Sequence, residues 1–392
     1  MNKKFSLITL GAFALGIVGG LIVPNIMLSI GFLGNIYINL LKMMIIPILF
    51  FGIITALTST DQKQTSKITI RTIVLFVIMF VASFLINSGF VAILNPGSTF
   101  NFSVVEWEGE LAEVSLVSFF ATFFPDNILK VACENAILPI ILFAFACGIA
   151  INKLNQKTKD FLVEFNTNIN LVINQILQWI IYLTPIGVFA LMGTTVANFG
   201  SSVLLSGAAY IFSAWIGCVI IAILVMILPV WIYCKINPIE YIKKVAEIWI
   251  MTLSTCSSAA TLPNTIKVCN EKFNVPTELT NIIVPLGCTI HMCGGAVSFS
   301  LLALFNMQMY NIPMTFSLFI TMLIAALLIN MGAPGIPGGG IVIGATYLSL
   351  LGVPLTFIGF YAGIYRLLDM VYTTMNVTGD ITANLIIKKS LE

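Results

Sequence analysis

The sequence predicts an all-α polytopic membrane protein with eight transmembrane helices and two re-entrant helical hairpins, an expectation that rests on three observations. Hydrophobic residues make up 59% of the 392 positions and charged residues only 9%, with a mean hydropathy of +1.04. A soluble domain of that composition would leave much apolar surface in water, so the solvent is lipid. The second observation is a series of apolar runs, each longer than the roughly 20 residues that a helix needs to cross a hydrocarbon core. The third is a pair of apolar segments broken in the middle by small residues and proline.

The first run follows Lys3 and Lys4 and resembles a signal peptide from Met1 to Pro24. It lacks an A-x-A cleavage site and reads as a retained first helix. The spanning candidates are 5–30, 32–57, 70–94, 116–152, 161–195, 203–234, 279–308 and 356–387. The two broken segments are 241–271, interrupted by STCSSAATLPN at 254–264, and 314–353, interrupted by GAPGIPGGG at 332–340. A straight spanning helix rarely tolerates such interruptions, because they free backbone groups that lipid cannot satisfy.

Basic residues give the topology. Fifteen of the eighteen Lys and Arg, among them Lys63, Lys67, Arg71, Lys153, Lys157, Lys159, Lys243 and Lys388, fall on one side if both broken segments fold back. The positive-inside rule makes that side cytoplasmic, with both termini on it and the chain in a cell inner membrane. The loop after Asn95 carries Glu106, Glu108, Glu110 and Glu113 with no basic residue, as an outside loop does. Lys42 and Lys130 read as snorkelling interface residues. One hairpin then enters from each side, so each hairpin and the helix after it form half of an inverted repeat, a sequence pointer to a midplane binding site. The net charge of +2 forms no basic stripe and gives no sign of nucleic-acid binding. The eight cysteines form no C-x-x-C pair and read as small buried residues.

Chemistry concentrates in four places. The first hairpin tip offers the hydroxyls of Ser257 and Ser258. The second offers Gly332, Gly335, Gly338, Gly339 and Gly340, which permit close backbone approach, although glycine and serine also serve helix packing. In the last helix, Asp369, Thr373, Asn376 and Asp380 recur at spacings that place them along one face. Carboxylates inside an apolar helix need a cation or a donor, which Arg366 offers Asp369 and no nearby residue offers Asp380. The single histidine, His291, sits in PLGCTIHMCGGA at 285–296, where small residues break the helix pattern. It reads either as a packing residue or as a group that holds and releases a proton. No G-x-S-x-G elbow or metal-ligand pair supports an enzyme.

Taken in order, LLKMMIIPILF at 40–50, SSAATLP at 257–263, PLGCTIHMCGG at 285–295, GAPGIPGGG at 332–340 and LDMVYTTMNVTGD at 368–380 resemble the glutamate transporter family, the dicarboxylate/amino-acid:cation symporters, over essentially the whole chain. The resemblance implies a secondary active symporter of elevator type and a homotrimer. It implies a fixed scaffold of about 1–57 and 116–195, and a moving transport part of about 70–94 and 203–392. Carried over position by position, Asp369 holds a substrate ammonium and Asn376 its α-carboxylate, Thr373 assists, and Ser257, Ser258 and Gly335 belong to the tips that close on the substrate. Sodium is the implied coupling ion, with Asn376 and Asp380 as ligands of one site and Thr289 as a ligand of another, and no other cofactor.

The departures from the family pattern are as informative. Tyr372 stands where members that carry acidic substrates have an arginine, and Gly295 where they have a threonine. Cys256 supplies no compensating charge. A tyrosine donates one hydrogen bond but does not neutralise a buried carboxylate, so the expected substrate is a neutral or polar amino acid. The alternative is a dicarboxylate or acidic amino acid whose charge Arg366 meets. Phe76, Met79 and Phe80 replace the hydroxyl ligands of one sodium site, and His291 replaces an asparagine of another. Fewer sodium ions are expected, or a proton on His291 or Asp380 in place of one. An anion channel and a non-transporting sensor are the readings from other classes.

Overall fold

The computed structural model describes residues 3–58, 66–99, 124–133, 137–199, 202–331 and 339–392. The helices at the start are α1 (Lys3–Ile22), α2 (Pro24–Met43) and α3 (Ile45–Thr58). The first two apolar runs, 5–30 and 32–57, are therefore three helices. Pro24 lacks an N–H and disfavours helical backbone at the residue before it, so α1 stops and α2 begins at Val23. Then come α4 (Ser66–Leu94), α5 (Ile128–Cys133) and α6 (Ile137–Lys153). The acidic loop with Glu106, Glu108, Glu110 and Glu113 lies outside the described residues.

The run 161–195 is α7 (Gln156–Tyr182) and α8 (Thr184–Phe199), bent by 49° at Leu183 just before Pro185. Next are α9 (Ser202–Ile221) and the short α10 (Leu228–Ile232), joined by a π-helical stretch at Ala222–Ile227. Ile68–Ser98, Gly207–Ile232 and Thr277–Met309 are each long and apolar enough to cross a membrane, and the bent pair α7–α8 makes a fourth if counted as one span. The chain is all-helical among the described residues.

Both broken segments fold back on themselves. The first is α11 (Pro238–Thr255) and α12 (Ser258–Lys267). Asn264 Nδ2 lies 2.8 Å from Met251 Sδ, two atoms placed symmetrically about the Cys256–Ser257 tip. The second is α15 (Phe316–Met331) and α16 (Gly339–Leu350), where the Tyr347 hydroxyl donates to Met322 O at 3.0 Å. Pairs equidistant from a tip require antiparallel arms. The tip at 332–338 itself lies outside the described residues. Between the hairpins run α13 (Thr277–Ile290) and α14 (Cys293–Met309), and α17 (Ile358–Leu391) ends the chain.

Packing follows membrane rules, in which small residues permit close approach and polar side chains join helices. α1 and α2 lie on α8. A Cβ at Gly16 would come 2.8 Å from Phe189 O and one at Gly20 2.6 Å from Gly193 O, so this pair of glycines four apart is the seam. α17 is buried through most of its length, with α11, α13 and α14 against it. On its α11 side, Thr374, Thr378 and Thr382 bond to Thr252 (2.8 Å), Trp249 (2.9 Å) and Tyr241 (2.8 Å). α4 is joined to α14 by Asn87 Nδ2, which donates to Ser300 Oγ at 2.7 Å.

Candidate functional site

Three backbone interruptions meet α17 at one cavity. The first hairpin turns through Cys256, whose left-handed backbone (φ 51°) is uncommon for a residue with a side chain and marks a constrained tip. Ser257 caps α12, its hydroxyl accepting from Ala260 N at 3.2 Å. That leaves Ser258, at the start of α12, to line the cavity with Cys256. The second interruption is between α13 and α14, where His291 and Met292 are extended rather than helical. It brings Met292, Gly295, Ser298 and Phe299 to the wall. The second hairpin adds Asn330 from the end of α15 and Gly340 and Ile343 from α16.

α17 supplies Tyr365, Asp369, Tyr372, Thr373 and Asn376. Of the four residues expected along one face of the last helix, Asp369, Thr373 and Asn376 meet at the cavity and Asp380 does not, while Tyr372 joins them. Asp369 and Thr373 are bonded, the Thr373 hydroxyl donating to Asp369 Oδ1 at 3.2 Å. Asn376 Oδ1 accepts from Gly294 N at 2.8 Å, which fixes the orientation of the amide. The buried Tyr372 hydroxyl has no hydrogen bond of acceptable geometry, although the hydroxyls of Ser298 and Tyr210 lie close to it. Arg366 is half-buried and is not among the described lining residues.

Asn330, like Ser298, Phe299, Ile343 and Tyr365, is a lining residue that sequence reasoning missed. A Cβ at Gly295 would fall 2.1 Å from Asn330 Oδ1, so the carboxamide fills the space a larger residue at 295 would take. An asparagine at the end of an apolar run, two residues before the first glycine of GAPGIPGGG, was the available signal.

Asp380 and His291 form a separate cluster farther along α17, with Nδ1 to Oδ1 at 2.9 Å and both side chains buried. The imidazole is stacked on Phe76, with centroids 4.3 Å apart and planes at 10°. Its other nitrogen meets Cys293 Sγ at 3.1 Å. Nε2–H donating to the sulfur, with one proton between Nδ1 and Asp380 Oδ1, joins all three groups without net charge. Met79 and Phe80, which with Phe76 stand where hydroxyl ligands were expected, are buried in the apolar core. The side chain of Thr289, and Gly335 altogether, lie outside the described residues.

The pattern of the sodium:dicarboxylate symporter family matches residues 5–390. The chain belongs to that family. A proton/sodium-glutamate symport protein of Geobacillus stearothermophilus is 29% identical over 391 residues, covering 96% of this chain and 91% of the relative. The proton/glutamate-aspartate symporter of Escherichia coli K12 is 29% identical over 376 residues, with 91% and 84% covered. The human neutral amino acid transporter A is 24% identical over 394 residues, with 90% and 74% covered. As a member of the family this chain is a multi-pass, cation-coupled symporter of a cell membrane, a transporter rather than an enzyme.

Proposed function

We propose that this symporter moves a small neutral or polar amino acid across the cell inner membrane by an elevator motion, coupled to sodium, protons or both. Asp369 holds the ammonium. Asn376, whose oxygen is engaged by Gly294, presents its Nδ2 to the carboxylate, together with the N-terminus of α12 at Ser258, where unpaired N–H groups favour an anion. Thr373 steadies Asp369.

The observation that carries the choice of substrate is Tyr372. Its buried hydroxyl, with those of Ser298 and Tyr210 beside it, is a neutral hydrogen-bonding group suited to a solute with a hydroxyl or amide side chain. The Asn330 carboxamide beside Gly295 adds a second neutral polar group. Among the described lining residues Asp369 is the only ionised group, and it repels a side-chain carboxylate placed beside it. The second reading, an acidic amino acid or dicarboxylate with Arg366 supplying the charge, draws support from the names of the glutamate symporters. In that reading Arg366, whose Nη1 is buried and which lies near Cys256 of the cavity wall, supplies the charge.

The elevator reading assigns about 1–57 and 116–195 to a trimeric scaffold and about 70–94 and 203–392 to the moving part, with both termini cytoplasmic. The packing of α1 and α2 on α8, and of α4, α11, α13 and α14 around the helices of the site, supports that division. Uptake of a labelled amino-acid panel into sealed proteoliposomes, with sodium and proton gradients imposed separately, tests the proposal. Uphill accumulation of a neutral solute is expected. Passive flux would indicate a channel, and binding without flux a sensor.

A further inference from the structure

The second carboxylate of α17 is enclosed differently from the first. Asp380 is 1% exposed, at the position to which the family resemblance assigns a sodium ligand. Sodium requires several hard oxygen donors converging on one point, as other hard cations do. Here one side of the carboxylate is taken by His291 Nδ1 at 2.9 Å. On the far side of the imidazole lie the Phe76 ring and the Cys293 sulfur, neither a hard donor. The other oxygen assigned to the ion, Asn376 Oδ1, already accepts from Gly294 N.

The surroundings are shaped for this pair. Gly287 packs so closely that a Cβ there would lie 2.2 Å from Asp380 Oδ1, and a Cβ at Gly379 would lie 2.5 Å from His291 Cε1. A side chain at either position would push the ring and the carboxylate apart. With Nε2–H donating to the Cys293 sulfur, one further proton shared between Nδ1 and Oδ1 leaves the pair with no net charge, whichever atom holds it. Its burial then needs no further cation.

We propose that the imidazole of His291 takes the place of a sodium ion beside Asp380, so that this site binds no sodium. The inference deepens the reading of the chain as a cation-coupled symporter and does not depend on which solute it carries. Sodium coupling, where present, then belongs to a different part of the molecule.

His291 is the only histidine in the chain, so histidine labelled with 15N gives one imidazole spectrum from the full-length protein in nanodiscs. The test compares sodium chloride with choline chloride at constant pH and ionic strength. The proposal expects no sodium-dependent shift of the His291 nitrogens, or one that persists in Asp380→Asn because it originates elsewhere. A sodium-dependent shift that Asp380→Asn abolishes overturns it. A second measurement guards against misfolding of that variant. His291→Asn exchanges the ring for an oxygen donor and is expected to gain a sodium-dependent rise in melting temperature on the order of a few degrees. No such gain in folded His291→Asn also overturns the proposal. Neither measurement uses a solute, so failure of the substrate assignment would appear only in uptake.

Discussion

Asp369 and Asp380 lie on the same helix, but one carboxylate lines a cavity and the other is closed in by side chains. Asp369 has Thr373 beside it and a space walled by three interrupted elements. Asp380 has an imidazole against it, an aromatic ring on the imidazole face and glycines that let everything approach. The cost of a carboxylate inside an apolar helix can be met by a ligand that comes and goes or by a partner the protein carries with it. This helix uses one solution at each end. Whether a buried charge marks a ligand site therefore depends on what stands opposite, not on the charge alone.

The largest expected effect comes from Asp369→Asn. Removing one member of a buried charge pair typically costs about 3–5 kcal/mol, so uptake efficiency should fall on the order of 100- to 1,000-fold. The carboxylate has lost its role if amino-acid uptake in proteoliposomes survives that change. Next is Tyr372→Arg, which adds a cation to a wall that has none among its described lining residues. Preference should move from neutral to acidic solutes by about 100-fold in relative uptake. An unchanged panel would mean that position 372 does not read the substrate side chain.

Gly295→Thr is expected to act more weakly and for a steric reason. Its Cβ would lie 2.1 Å from Asn330 Oδ1, and such overpacking costs about 1–3 kcal/mol. Substrate affinity should drop by about tenfold or more, and Asn330→Ser in the same chain should restore much of it. The smallest effect is expected on the opposite face of α17. Trp249→Phe removes the donor to Thr378 and should cost about 1 kcal/mol, seen as a lower melting temperature with solute preference unchanged. A change in preference there would show that the two faces of α17 are not independent.

Much of this was legible in the sequence, for identifiable physical reasons. The hairpin tips stood out because SSAATLP and GAPGIPGGG are incompatible with a straight helix in lipid, and the pairs Asn264–Met251 and Tyr347–Met322 show both segments folding back. The face formed by Asp369, Thr373 and Asn376 followed from helical periodicity. The break at His291 followed from the small residues around it. Other features depend on contacts between segments distant in sequence. Asn330 reaches the site only because the second hairpin closes on α14, and Asn376 is oriented by Gly294. The division of 5–57 into three helices was visible at Pro24 but hidden by continuous hydrophobicity.

The central claim is that the Asp369 end of α17 serves a solute without a side-chain charge while the Asp380 end is filled from within. Uptake by the wild-type protein in proteoliposomes, with the sodium and proton gradients imposed one at a time, tests it most directly. Uphill accumulation of neutral or polar amino acids, with aspartate and plain dicarboxylates excluded, is the predicted result. Accumulation of aspartate or a dicarboxylate alone would contradict it and make Arg366 the residue to examine.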